Sequence, residues 1–364
     1  MLIGIEAERA NTAQKTGVEH YAKQLIEHLA KIDNDNRYVL YLRTRPQAWL
    51  LALPDNFTIK VMPFPLFWTQ LRISWEMLVH PVDVLFIPAS AMPFVHPRRS
   101  ISAIHDLAWD FFPETYTKFI LYYSIFVTWF VAKFSSRLIA VSQATKNDIV
   151  KKYHISSDKV SVIYHGYEVA NQPISQSANL PESLNLPEKY VLFLSTLQPR
   201  KNLEGLIDAF KLLKSEHPEL PHKLVVVGKP GWKYQGILEN INQNRDNVVY
   251  LNYVSDKDRL AILRRSELLV LPSFYEGFGM QILEAFAANV PVATSNISSM
   301  PEVAADAAVY FDPKNILEIK NAMMHVLLDK SLADNLREKG KIRLKDFSWE
   351  KCARETLEVL TKIN

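Results

Sequence analysis

EGFGMQILE, residues 276–284, is the stretch from which the rest of this chain can be placed. Immediately before it, Leu268-Leu269-Val270-Leu271 forms a short apolar block that ends at Pro272 and Ser273, the pattern of a strand buried in a parallel sheet. Phe274 and Tyr275 then make a loop. Beyond Gly279, the apolar residues Ile282, Leu283, Phe286 and Ala287 recur at helical spacing, so the glycine turn lies between a strand and a helix N-terminus. Amide groups and the positive end of the helix dipole favour a phosphate there, and glycines let backbone and ligand come close. Gly277, Phe278, Gly279 and Met280 are therefore candidate anion-binding positions. A phosphate alone needs no carboxylate. Glu276 in the turn and Glu284 two turns into the helix can accept hydrogen bonds from hydroxyl groups flanking that phosphate.

A phosphate with hydroxyls at either end describes a nucleotide sugar. Two glutamates separated by seven residues, embedded in PSFYEGFG (272–279), resemble the diagnostic element of the family 4 retaining glycosyltransferases. The resemblance implies an α/β GT-B fold: two Rossmann-like domains facing each other across a cleft, with a C-terminal helix crossing back to the first domain. On the residues alone, a plain glycine turn with surface carboxylates remains the competing reading.

Length and composition agree with two domains. The chain has 364 residues and 48% hydrophobic content, enough for two cores. Lys and Arg total 42 against 39 Asp and Glu, a net charge of +3, which implies no general affinity for nucleic acid. One cysteine, Cys352, excludes an internal disulfide framework and suits a reducing, cytoplasmic setting. MLIGIEAERA has no basic leader followed by an apolar run, and no window reaches the 18 apolar residues of a membrane span. No repeat or low-complexity tract is present.

From the start, residues 2–6 read as a strand, and a loop leads to Gly17 at the head of a helix with Val18, Tyr21, Ala22, Leu25, Ile26 and Leu29 on one face. TGVEHYAKQL (16–25) resembles the family's N-terminal glycine loop, with Thr16 where a second glycine is usual. That resemblance makes Gly17 a donor-binding candidate. Strand-like blocks at 37–42, 57–62, 83–87, 99–104, 137–141 and 160–163 alternate with helices. Asp33 and Asp35 mimic a metal-binding DxD, but they lie between a helix end and the block RYVLYL, where a solvated turn is expected. In ISAIHDLAWDFFPETY (101–116), His105 and Asp106 follow an apolar strand, the end at which open parallel sheets bind ligands. The HDL string resembles the family's active-site histidine segment, especially in bacterial mannosyl- and rhamnosyltransferases. His165, before Gly166, is the competing histidine, with a hinge or interdomain contact as its other reading.

Domain boundaries are expected at 1–169 for an acceptor-side domain, 170–188 for a polar linker with three prolines, 189–346 for a donor-side domain and 347–364 for the returning helix. The second domain opens with the apolar YVLFLST (190–196). Arg200 and Lys201 stand after its strand and suit a diphosphate, one as a bidentate fork and the other as a point charge. TLQPRKNLEGLIDAF (196–210) resembles the family's donor-diphosphate segment. Strands at 223–228 and 247–251 alternate with helices near 234–243 and 256–265. By resemblance, Gly228 and Val254 at the ends of those strands line the nucleotide base. ISSMPEVAADAAVYFDP (297–313) matches the family's domain-closing pattern, with Pro301 in a first helical turn. Three helices are expected over 315–364.

The resemblance implies a retaining hexosyltransferase that moves mannose from GDP-mannose, or a hexose from a UDP- or dTDP-sugar, to a saccharide or lipid-linked saccharide in bacterial surface-polysaccharide assembly. His105, Glu276, Arg200 and Lys201 are the implied catalytic residues; Gly17, Gly228, Val254, Gly277, Phe278, Gly279, Met280 and Glu284 are the implied donor contacts. No metal or cofactor is expected. A nucleotide-sugar epimerase or hydrolase of the same fold, or a non-catalytic nucleotide-sugar sensor, are the alternatives; a dehydrogenase is disfavoured because no GxGxxG follows an early strand. KFILYYSIFVTWFVAKF (118–134) is too short to span a bilayer. It reads either as a core helix or as one lying at the inner-membrane surface on the cytoplasmic side.

Overall fold

Every strand pair in the computed structural model is parallel among the described residues, which explains why the strands read as near-continuous apolar runs. The structure describes residues 1–12, 17–168, 184 and 186–362. Two units form. Unit 1 comprises Met1–Phe111, Thr117–Gly166 and Phe347–Asn364; unit 2 comprises Phe112–Tyr116 and Tyr167–Asp346. Most of the expected linker, 170–188, lies outside the described residues.

The strands of unit 1 are β1 (Leu2–Glu6), β2 (Arg37–Leu42), β3 (Phe57–Val61), β4 (Val84–Ile87), β5 (Ser100–Ile104), β6 (Arg137–Ala140) and β7 (Val160–Val162), in the order β3-β2-β1-β4-β5-β6-β7. Helices α1 (Gly17–Ile32), α2 (Ala48–Leu51), α3 (Ser74–Val79), α4 (Ala108–Phe111), α5 (Lys118–Phe134) and α6 (Gln143–Tyr153) connect them. In unit 2, β8 (Tyr190–Leu194), β9 (Lys223–Val227), β10 (Val248–Leu251), β11 (Leu268–Leu271), β12 (Val292–Ser295) and β13 (Ala308–Phe311) take the order β10-β9-β8-β11-β12-β13. Its helices are α7 (Leu203–Glu216), α8 (Gln235–Gln243), α9 (Asp256–Arg265), α10 (Met280–Ala287), α11 (Met300–Ala304), α12 (Ile316–Leu328) and α13 (Lys330–Leu344). The last helix, α14 (Trp349–Thr361), belongs to unit 1.

Each unit has its own core. All five residues of β8 and all four of β11 are buried, and each such Val, Leu or Phe contributes roughly 1.5–3 kcal/mol of burial free energy. In unit 1, α1 turns Tyr21, Ala22, Leu25, Ile26 and Leu29 inward, while α14 adds Trp349, Cys352, Ala353 and Leu360 to the same core. Cys352 is a buried packing residue there.

One expectation is corrected. Asp33 is in a turn, but it is buried rather than solvated: its carboxylate accepts from the backbone amides of Asp35 and Asn36 and, at 2.5 Å, from the Tyr38 hydroxyl. His165 lies one residue before the point, Gly166, where the chain leaves unit 1. It is buried in unit 1, stacked on Tyr21 at 4.9 Å and on Trp349 at 6.0 Å. Gly166 beside it meets the start of α14 so closely that a Cβ would stand 2.1 Å from the Trp349 amide nitrogen.

Helix α5 answers the core-or-surface question in two halves. Val127, Thr128, Val131 and Ala132 are buried, whereas Phe119, Tyr122, Phe126, Trp129 and Phe134 are exposed. Phe130 is half-buried, with its ring edge against Phe94 at 5.5 Å. No helix among the described residues is long and apolar enough to cross a membrane.

Candidate functional site

In unit 2 the strand order reverses between β8 and β11, and the crevice outside the carboxyl ends of two such strands is where open α/β sheets bind ligands. The loop after β8 carries Arg200 and Lys201; the loop after β11 carries Glu276. The fold thus brings Glu276 to Lys201 and Arg200, which lie 75 and 76 positions earlier in sequence. Lys201 Nζ donates to Glu276 Oε1 at 2.5 Å, and Arg200 Nη1 lies 3.5 Å from Oε2. Ser273 Oγ donates to the same Oε1 at 2.7 Å. The side chains of Lys201 and Glu276 are only 6% and 8% exposed, so this is a buried ion cluster and not a surface pair. Burial alone would push the Glu276 carboxyl up, but Lys201 and Arg200 outweigh it and hold the group below the usual carboxylate range.

Main-chain contacts fix this arrangement. Arg200 Nη1 donates to the Tyr275 carbonyl at 3.0 Å, and the Phe274 amide donates to the Arg200 carbonyl at 2.9 Å, so the two loops are tied to each other. Ser298 Oγ and Ser299 Oγ donate to the Glu276 carbonyl at 2.6 and 2.9 Å. Ser273, Ser298 and Ser299 were not assigned a site role from the sequence, although the first stands in the PSFYEGFG string after β11 and the other two in the ISSMPE string that follows β12. Asn202, in the left-handed region at φ 55°, starts α7 and donates through Nδ2 to the Pro313 carbonyl at 2.7 Å.

The turn Gly277-Phe278-Gly279 is buried and leads directly into α10, whose first residue is Met280. Gly279 caps that helix at φ 93°, a left-handed backbone that an L side chain would strain. Glu284 is the fifth residue of α10 and half-buried. It pairs with Arg259 of α9, a residue the sequence reading did not select. Gly228 follows β9; its amide donates to the Leu251 carbonyl at 3.2 Å and its own carbonyl accepts from the Tyr250 hydroxyl at 3.0 Å. Val254 is half-buried in the segment between β10 and α9.

The remaining selected residues are in unit 1. Gly17 is exposed at the start of α1, with no described atom within 4 Å of where a Cβ would stand, and Thr16 lies outside the described residues. His105 follows β5. Its Nε2 donates to the Pro88 carbonyl at 2.8 Å and its ring meets Tyr21 edge-on at 4.8 Å. A carbonyl, not the neighbouring carboxylate, orients the ring; Asp106 instead accepts from the Ala108 amide at 3.2 Å. The buried Nδ1 makes no hydrogen bond among the described residues and, opposite a donating Nε2, carries the lone pair. Burial pushes the imidazole below its usual range, against the opposing pull of the Pro88 carbonyl and Asp106. Glu6, at the carboxyl end of β1, is also buried, and burial raises its carboxyl to about 7. No group of three or more His, Cys, Asp or Glu side chains able to hold a metal occurs among the described residues.

Residues 177–343 match the sequence pattern described as "Glycosyl transferases group 1", and residues 15–171 match "Glycosyltransferase Family 4". O-antigen chain mannosyltransferase B of Escherichia coli is 30% identical over 339 residues, covering 90% of this chain and 84% of that protein. Among solved structures, HepE of Anabaena in complex with UDP-glucose superimposes with a TM-score of 0.73 at 18% identity, over 100% of this chain and 99% of that one. WaaG, a glycosyltransferase involved in lipopolysaccharide biosynthesis, gives 0.73 at 14% identity over the whole of both chains. At such identities these two establish the fold.

Proposed function

This chain belongs to the group 1, family 4 glycosyltransferases of GT-B fold, and from that membership we infer that it transfers mannose from GDP-mannose, with retention at the anomeric carbon, to a saccharide acceptor in polysaccharide synthesis. The observation that carries this reading is the buried Arg200–Lys201–Glu276 cluster at the reversal of strand order in unit 2. The mannose assignment is supported by the 30% identical mannosyltransferase.

As the bond from the sugar to the diphosphate breaks, negative charge builds on the departing oxygen. Arg200 and Lys201 stabilise it, and the N-terminus of α10 adds the amides of Phe278, Gly279 and Met280. Preformed cations need no reorganisation at that moment. Glu284 takes the ribose hydroxyls, with Gly228 and Val254 at the base and Gly277 and Gly17 against the donor. Glu276, already held by Lys201 and Ser273, positions a sugar hydroxyl, and His105 is assigned a part in positioning the sugar. Neither a metal nor a cofactor has a step in this scheme.

The acceptor we assign is lipid-linked, at the cytoplasmic face of the inner membrane. Support comes from α5, which exposes Phe119, Tyr122, Phe126, Trp129 and Phe134 between exposed Lys118 and Lys133. Exposed Phe67 and Phe94 adjoin it through Tyr123 and Phe126. Aromatic rings with lysines at the helix ends suit the headgroup boundary.

Thermal protection by GDP-, UDP- and dTDP-sugars, followed by transfer assays in EDTA, tests the scheme. GDP-mannose should protect most, and transfer should persist under chelation with the donor's anomeric configuration kept. Stronger protection by a UDP-sugar would reassign the donor. Donor turnover without acceptor would favour a hydrolase, and activity lost in EDTA but restored by Mn²⁺ would remove Arg200 and Lys201 from the leaving-group role.

A further inference from the structure

Glu284 and Arg259 form an ion pair between α10 and α9, and nothing in the motif around Glu284 requires it. The arginine stands in the first turn of α9, whose N-terminus is fixed by Ser255: its Oγ accepts from the Asp258 amide at 3.1 Å and donates to Asp258 Oδ2 at 2.7 Å. Arg259 Nε lies 3.5 Å from Asp256 Oδ1, so the guanidinium is approached from its own helix as well as by Glu284. Nη1 engages Glu284 Oε1 alone. The described residues offer no hydrogen bond to Oε2.

A carboxylate on a flexible side chain can rotate about its last bond, and gripping one oxygen fixes where the other points. Glu284 is 15% exposed and Arg259 33%, a half-buried pair that is screened less than a surface one. Burial opposes the guanidinium charge, but Glu284 more than offsets it. A bare carboxylate near a bound diphosphate would also repel it, and Arg259 neutralises that charge.

We propose that Arg259 is a positioning residue: it aims the second oxygen of Glu284 at the ribose hydroxyls of the nucleotide and links ribose recognition to the segment 253–256 that precedes it. The inference rests on the ribose role given to Glu284 above. It makes α9 part of the donor site through one side chain, 25 residues from its partner in sequence.

The test compares binding of GDP with its 2′,3′-dideoxy analogue, with the uridine pair in parallel, to the full-length wild type, Arg259→Ala, Arg259→Lys and Glu284→Gln. A charged hydrogen bond is worth about 1.5–3 kcal/mol, so the wild type should prefer the ribonucleotide by about tenfold or more. In Arg259→Ala that preference should fall towards unity, and the KM for donor should rise by a similar factor while kcat changes far less. Arg259→Lys, which keeps the charge and loses the guanidinium that reaches Glu284 and Asp256 through separate nitrogens, should retain part of the preference and guards against a fold defect in the alanine variant. If wild type and Glu284→Gln both ignore the ribose hydroxyls, the role of Glu284 is wrong and this inference falls with it. If Glu284→Gln loses the preference while both Arg259 variants keep it in full, Glu284 stands and the role of Arg259 is refuted.

Discussion

Replacing Lys201 by Met keeps most of the side-chain volume but removes the ammonium from Glu276. The carboxylate then stays buried with Arg200 at 3.5 Å and the Ser273 hydroxyl at 2.7 Å as its remaining partners. Breaking a buried ion pair by deleting one partner costs about 3–5 kcal/mol, and the surviving partners place this case near 3. For a unit of this size, 1 kcal/mol corresponds to about 2–4 °C, so unfolding of unit 2 should move down by roughly 6–12 °C at neutral pH. The double variant Lys201→Met, Glu276→Gln should recover much of that loss, because no uncompensated charge is left buried. The pH dependence has a definite sign. The Glu276 carboxyl is held below its ordinary value of 4.5 in the folded protein, so its contribution is complete above that value and is lost as pH falls through the folded-state value. The gap between wild type and Lys201→Met should therefore close in acid. Circular-dichroism melts of wild type, both single variants and the double variant, at neutral and acid pH, measure all of this. Additive losses, or a Lys201→Met protein as stable as wild type, would refute the cluster as described.

Glu6 tests the opposite sign: its carboxyl is raised from 4.5 to about 7, so ionising it destabilises the fold progressively as pH rises through that window. Glu6→Gln should gain up to about 3 kcal/mol over wild type at pH 8 and almost nothing below the unfolded-state value, read by urea unfolding; an equal difference at both pH values would contradict it. Replacing Tyr122, Phe126 and Trp129 by Ser should weaken co-sedimentation with anionic liposomes at low salt without lowering the melting temperature, since all three are exposed. A wild type that stays in the supernatant would remove the membrane from the proposal.

The sequence reveals what is contiguous and conceals what is not. Strand β11 and helix α9 were readable to the residue because an apolar block and a capped, charged helix declare themselves locally. Strand β12 did not: Thr294 and Ser295 interrupt its apolar run, yet both are buried because their hydroxyls donate to the Leu271 carbonyl. The glycine turn before α10 was visible as a motif, and the left-handed backbone at Gly279 gives one physical reason for it. Arg259 was invisible for the converse reason. On its own helix it is one more charged residue in a polar stretch with Asp256 beside it, and only the packing of α9 against α10 brings it to Glu284. His105 shows a third case: its position after β5 followed from the strand pattern, but the orientation of its ring depends on the Pro88 carbonyl, 17 residues earlier.

These non-local partners also explain why an anion site contains a glutamate. Lys201, buried in the loop after β8, and the largely covered Arg200 beside it would, with no counter-charge, carry a desolvation penalty of several kcal/mol whenever the site is empty. Glu276 offsets that penalty in the unliganded protein and, in the proposed reaction, also positions the sugar. The two roles make opposite demands on a substitution. Glu276→Gln leaves the two cations less compensated and so favours an incoming diphosphate, while it weakens the group that positions the sugar hydroxyl. Nucleoside diphosphate affinity and transfer rate should then move in opposite directions in this one variant, which a purely structural glutamate, or a purely phosphate-binding one, would not produce.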